Sequence, residues 1–216
     1  MPPRALAQED KAARRADILN AARELFLADS HQLPSVARIA AAAGLAKGTV
    51  YLYFTTKEDI FLALLGSEFD AAFDQLDALL AIDQPLEALL AAFLDAYAAY
   101  LDANPEFLRL ASMSAPVLEQ NVAEEQGYAF KYGIALRLIR SGRLLEVRLP
   151  TLAPGQGAAL LLRTYAVTLG LWQTVDYPQP VKSRLTDPMF AVLRPDFRTE
   201  LAATLTQLWR GALLPN

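Results

Sequence analysis

The sequence predicts an all-α protein, a small N-terminal unit of three helices followed by a larger helical body. Alanine and leucine dominate while β-branched runs are scarce, a bias that over long windows favours helix and leaves almost no strand. Apolar residues recur at helical spacing in one stretch after another. Prolines divide the C-terminal part into segments of helical length. With 216 residues and 54% hydrophobic content, the chain holds enough apolar side chain for a sizeable core.

The first periodic stretch runs from about Lys11 to Ala28, with Ile18, Ala22, Leu25 and Phe26 as its apolar face. The segment from Asp29 through His31 to Ser35 breaks it, and Pro34 with Ser35 is placed to start a short second helix ending near Ala43. Gly44 follows, where a left-handed residue ends a helix without steric cost, and the chain restarts at Ala46 or Lys47. Ala40 is small enough for two helices to cross closely, while Ile39, Leu45 and Val50 form an apolar wedge between them. This is a helix-turn-helix pattern.

Thr56 caps, and Asp59 complements electrostatically, the start of a long fourth helix. Its apolar positions Ile60, Phe61, Leu64, Leu65, Phe69, Phe73, Leu76 and Leu80 carry it to about Ala81. Further helices are expected at about 85–103, 105–113, 116–142, 155–175 and 195–212, with the proline-rich stretch 176–194 as an exposed connection.

The formal net charge is −4, but it is unevenly distributed. Residues 1–58 hold eight Lys or Arg against six Asp or Glu, whereas the remainder holds twelve against eighteen. A mildly basic head on an acidic body suits contact with phosphate at one end only. Cysteine is absent, which removes disulfides and thiolate metal sites. The start has no apolar core of a signal peptide, and no later run reaches membrane-spanning length, so a cytoplasmic protein without a membrane partner is expected. His31 is the sole histidine, and no G-x-S-x-G, H-E-x-x-H, P-loop or G-x-G-x-x-G occurs. Neither an enzyme nor a metal or cofactor protein is expected.

The segments Val36-Ala37-Arg38-Ile39-Ala40, Ala43-Gly44-Leu45, Lys47-Gly48-Thr49-Val50-Tyr51-Leu52-Tyr53-Phe54 and Lys57-Glu58-Asp59-Ile60-Phe61 together resemble the TetR family of bacterial transcriptional regulators. The resemblance covers about Arg15 to Leu64. It implies a DNA-binding domain over residues 1–58 and an effector-binding and dimerisation domain over 59–216. The implied partners are double-stranded operator DNA, a second copy of the chain and a small-molecule effector. Two departures stand out: Ala46 replaces the Ser or Thr usual at the head of the third helix, and the loop before the second helix lacks the glycine and paired threonines usual there, with Ser35 as the hydroxyl at the helix start.

Lys47 and Thr49 fall in the first turn of the third helix, the end that meets base edges in a major groove, and Gly48 permits close backbone approach. Ser35, Tyr51, Tyr53 and Lys57 supply phosphate donors on either side. Phe54 reads as core.

In the body, Arg163, Val167, Gly170 and Thr174 form one helical line and Leu161, Tyr165, Thr168 and Trp172 another. The first line, with Leu201, Leu205, Leu208 and Trp209 of the last helix, is the candidate dimer interface. Phe69, Phe73, Phe93, Tyr97, Phe107, Met113, Tyr128, Tyr132, Tyr165 and Trp172 are the candidate wall of a pocket for an apolar or aromatic effector, although the same pattern fits a plain core. The alternative is a dimeric DNA-binding regulator with no small-molecule effector, its body serving dimerisation or a protein partner.

Overall fold

The computed structural model describes residues 3–29 and 32–213. Met1, Pro2 and the expected loop residue His31 lie outside them. The α-helices are α1 (Pro3–Ala28), α2 (Val36–Ala42), α3 (Lys47–Val50), α4 (Lys57–Leu80), α5 (Leu86–Ala103), α6 (Glu106–Met113), α7 (Glu124–Arg148), α8 (Gln156–Val175), α9 (Gln179–Lys182) and α10 (Phe197–Leu213). No strand occurs among the described residues, and the fold is all-helical as the composition predicts.

Three boundaries differ from the periodicity. α1 starts at Pro3, because the charged stretch before Lys11 lacks an apolar face but holds good helix formers. The single helix expected over 116–142 is displaced: Ser114–Leu118 winds as a π-turn around Pro116, Glu119–Asn121 as a 3-10 turn, and α7 then runs on to Arg148. Val122 is extended (φ −113°, ψ 162°) and breaks the chain between them, while Glu124 and Glu125 complement the dipole of the new helix. The connection 176–194 contains short α9 and a 3-10 turn at Pro188–Leu193, and most of its residues are exposed.

The chain forms two compact units. One comprises residues 1–68 with 105–133, and its buried side chains include Ile18, Phe26, Ile39, Val50, Ile60, Phe61, Phe107 and Leu110. The rings of Phe26 and Phe61 meet at 5.5 Å. Within this unit the carboxylate of Glu106, at the start of α6, is 1% exposed and pairs with the guanidinium of Arg23 on α1. The unit is therefore larger than the first three helices: α6 and the first part of α7 belong to it.

The other unit comprises residues 69–104 and 134–216. Here α10 packs on α8 and α5, with the Trp209 ring stacked on Phe93 at 4.2 Å and its Nε1 donating to Thr164 Oγ1 at 3.0 Å. α7 and α8 cross so closely that a Cβ on Gly157 would lie 2.2 Å from the Gly142 carbonyl oxygen, and one on Gly142 would lie 2.4 Å from Ala158 N. The joint is completed by Glu146, whose Oε1 accepts from the amides of Gly155 (2.8 Å) and Gly157 (2.9 Å) at the positive end of α8.

Candidate nucleic-acid interface

The site grows from two helix ends. Ser35 precedes α2 with extended backbone (φ −70°, ψ 153°), and its Oγ accepts from Arg38 N at 3.3 Å. That satisfies one of the amides a helix start leaves unpaired, and the hydroxyl proton stays available to a second acceptor. At the other end Gly44 adopts φ +66°, the Gly44 amide donates to Ala41 O at 3.2 Å and Leu45 N to Ala40 O at 2.9 Å. This pair of bonds is a Schellman closure, which turns the chain within three residues and aims α3 away from α2. Ile39, Ala40 and Val50 are buried beneath the turn.

α3 is one turn long. Ala46 heads it with φ −70° and ψ 145° and makes no side-chain cap. Turn bonds from Leu52 N to Thr49 O (3.1 Å) and from Phe54 N to Val50 O (3.0 Å) carry the winding a little further. Phe54 is buried, as predicted for a core residue, and the Arg15 guanidinium lies over its ring at 5.3 Å.

The outward groups sort cleanly. Ser35, Lys47, Gly48, Tyr51 and Leu52 are exposed, and Thr49, Tyr53 and Lys57 are half-buried. Lys47 Nζ sits 5.7 Å from the centre of the Tyr51 ring, a cation–π contact one helical turn apart that restrains both side chains. Gly48 has ordinary φ and open space where a Cβ would stand, so nothing within the chain requires a glycine there.

Lys57 opens α4 beside a reciprocal cap: Asp59 Oδ2 accepts from the amides of Thr55 and Thr56, each at 2.9 Å, and Thr56 Oγ1 accepts from Asp59 N at 3.0 Å. Among the described residues Arg14, Arg15, Arg38 and Lys47 have no carboxylate at ion-pair distance, while Arg23 is taken by Glu106. A cationic surface without internal counterions around exposed donors can bind a polyanion. Two exposed side chains beside these groups, Arg15 and Leu52, are not among the candidates the sequence singles out; Arg15 is legible as a basic residue just before the apolar face of α1, Leu52 only from its exposure.

The candidate pocket residues divide between the two units. Phe107, Met113, Tyr128 and Tyr132 belong to the first, where Phe107 is buried and the stacked rings of Tyr128 and Tyr132 stand on the surface. Phe69, Phe73, Phe93, Tyr97, Tyr165 and Trp172 belong to the second. There Phe69 meets Tyr165 edge-on at 5.3 Å, Phe93 stacks on Tyr97 at 5.6 Å, and the Arg137 guanidinium covers Phe73 at 5.6 Å. Tyr97 OH and Thr168 Oγ1 are 3.2 Å apart, and burial of the hydroxyl pushes its pKa up to about 12 despite that bond. The cavity beside it, between Leu76 and Leu79 of α4 and Phe93, Tyr97 and Tyr100 of α5, measures about 20 Å³.

The candidate dimer residues also divide. Arg163 and Thr174 are exposed, and Val167 and Gly170 half-buried, along the outer side of α8; a Cβ on Gly170 would meet nothing. Leu201, Leu205 and Trp209 are buried against their own chain, so the apolar line of α10 covers α5 and α8 rather than lying open. Leu208 is the half-buried exception and, with Arg163, Gln156 and Gln207, lines an open groove of about 460 Å³.

A helix-turn-helix with an exposed, cationic one-turn recognition helix, followed by a larger helical body, defines a DNA-binding regulator. Residues 18–64 match the family model "Bacterial regulatory proteins, tetR family", and residues 66–216 match "Tetracyclin repressor-like, C-terminal domain". The chain belongs to the TetR family of transcriptional regulators. It is 31% identical over 88 residues to the uncharacterized HTH-type transcriptional regulator YfiR of Bacillus subtilis, covering 41% of this chain and 42% of that one, so it spans about two fifths of that relative's length. The fold is similar to the crystal structure of a TetR-family regulator from Mesorhizobium loti (TM-score 0.62, 19% identity, 94% of this chain and 96% of that one). It is also similar to the regulator FadR from Bacillus subtilis in complex with stearoyl-CoA (TM-score 0.52, 18% identity, 88% and 96%). Among the described residues no helix is long and apolar enough to cross a membrane.

Proposed function

We propose that this regulator is a repressor that binds a pseudo-palindromic operator as a dimer and is released by a small apolar or aromatic effector. The observation that carries the DNA half is the outward set Lys47, Gly48, Thr49 and Tyr51: its one cation, Lys47, lies over the Tyr51 ring with no carboxylate at ion-pair distance among the described residues, and a side chain at its glycine would meet nothing within the chain. Lys47 and Thr49 address base edges, while Ser35, Tyr51, Tyr53 and Lys57 grip the flanking phosphates. The residue 1–58 segment is the reading head, and residues 59–216 carry effector binding and dimerisation. The outer line of α8, with Arg163, Val167, Gly170 and Thr174, offers the partner-facing surface.

The effector half rests on the aromatic pairs Phe69–Tyr165 and Phe93–Tyr97 and on the stearoyl-CoA carried by one protein of similar fold. An effector acts only by binding one head spacing better than the other, and α4, continuous from Lys57 to Leu80, is the lever between sensing and reading.

The test is DNA binding to the sequences flanking the coding gene, at matched salt, with Tyr51→Phe and Lys57→Ala alongside. Selective binding that weakens in both variants, with unchanged thermal midpoints, is expected. Affinity no greater than for random duplex would end the reading. The effector-free alternative is kept in view by the cavity at Tyr97, whose 20 Å³ holds about one water, so an effector entering at that point has to part α4 from α5. A thermal-shift screen separates the two, because a ligand that binds the native state raises its midpoint.

A further inference from the structure

Leu52 is 79% exposed, far more than any other large apolar side chain between residues 10 and 58. It stands one turn beyond Gly48 and Thr49, its amide bonded to Thr49 O, between Tyr51 and Tyr53. Every other outward side chain of this stretch, Lys47, Thr49, Tyr51 and Tyr53, carries a hydrogen-bonding group. Leucine carries none, so against a phosphate it gains nothing and strips water from the anion. A major groove presents one apolar group, the C5-methyl of thymine.

We propose that Leu52 is a specificity-determining residue that reads a thymine in each operator half-site by covering its methyl group. The proposal rests on the reading of α3 as a recognition helix. Gly48 contributes by geometry: with no side chain in front of it, the turn can approach the groove floor closely enough for a leucine, reaching only a few ångströms from the backbone, to touch a base edge. The tyrosines on either side bind phosphate by their hydroxyls and fix the depth at which Leu52 enters. The discrimination is non-polar, so it is insensitive to salt, unlike the phosphate contacts that surround it.

The experiment uses full-length protein and a duplex selected by it from a random-sequence pool. Each thymine of that duplex is replaced in turn by deoxyuridine, which removes the methyl and leaves all base-pairing groups. The wild type should lose roughly fourfold in affinity per half-site at one symmetric thymine position, the worth of one buried methyl. Leu52→Ala should bind the thymine duplex more weakly and show no difference between thymine and deoxyuridine at that position. Its thermal midpoint should equal that of the wild type, because the side chain it removes touches little of the protein. Absence of any deoxyuridine effect in the wild type, or an effect that survives in Leu52→Ala, overturns the assignment while leaving DNA recognition intact. If no duplex is selected at all, the recognition reading falls and this assignment with it.

Discussion

Asp59 and Thr56 cap one another across the start of α4: a carboxylate oxygen of Asp59 takes the Thr56 amide at 2.9 Å, and the Thr56 hydroxyl takes the Asp59 amide at 3.0 Å. The same oxygen of Asp59 also holds the Thr55 amide, so three amides at the end of the recognition turn are committed to two side chains. Lys57 sits between the two capping residues at the start of α4, its Nζ 3.8 Å from a Glu58 carboxylate oxygen. Thr56→Ala should cost about 1 kcal/mol of stability, read by urea unfolding, and should weaken operator binding beyond what that loss of folded protein explains. Asp59→Asn, which keeps an acceptor, should cost less than Asp59→Ala in both measurements.

Ala46 offers the opposite experiment. Its backbone already has the extended conformation of a capping residue, and no side chain uses it. Ala46→Ser should stabilise the head by about 1 kcal/mol and tighten DNA binding, since the serine hydroxyl caps α3 and can also donate to phosphate. Calorimetry and a binding isotherm check the two effects separately.

Glu106 is a buried carboxylate with one oxygen on Arg23 and the other without a hydrogen-bond partner. Arg23→Met should destabilise the protein by roughly 3 kcal/mol, the low end of the range for breaking a buried pair because Arg23 is partly open to water. Arg23→Met combined with Glu106→Gln should recover much of the loss in a double-mutant cycle, since the uncompensated charge is then gone.

Tyr97 titrates at about 12 in the native chain against 10.0 for a free phenol, because burial disfavours the phenolate. The unfolded chain therefore releases the proton first as pH rises. The stability tied to this hydroxyl is complete below pH 10 and declines from about pH 10 to 12. Urea unfolding over this range should show a steeper decline in the wild type than in Tyr97→Phe, the difference isolating one tyrosine from the rest.

The head was legible because its signals are local. Gly44 and the Thr56–Asp59 pair announce a helix end and a helix start through backbone chemistry that needs no knowledge of the rest of the fold. The apolar line Leu201, Leu205 and Trp209 was legible as a buried face, but periodicity carries no mark of whose atoms do the burying, and the chain covers it with its own α5 and α8. Tyr128 and Tyr132, candidates for the wall of a pocket, stack on one another at the surface, and two aromatic rings four residues apart look alike in sequence whether they line a cavity or a surface. The π-turn at Pro116 arises from two helix ends meeting, which single-helix rules do not describe.

Gly142 and Gly157 leave no slack between α7 and α8, and Gly157→Ala should destabilise the body by several kcal/mol because backbone, not a flexible side chain, occupies the space. Glu146 fastens the same crossing from the side. The two helices thus form a weld instead of a hinge: α8 is transported as cargo by α7, and the angle between them is a constant of the molecule rather than a variable that an effector can adjust.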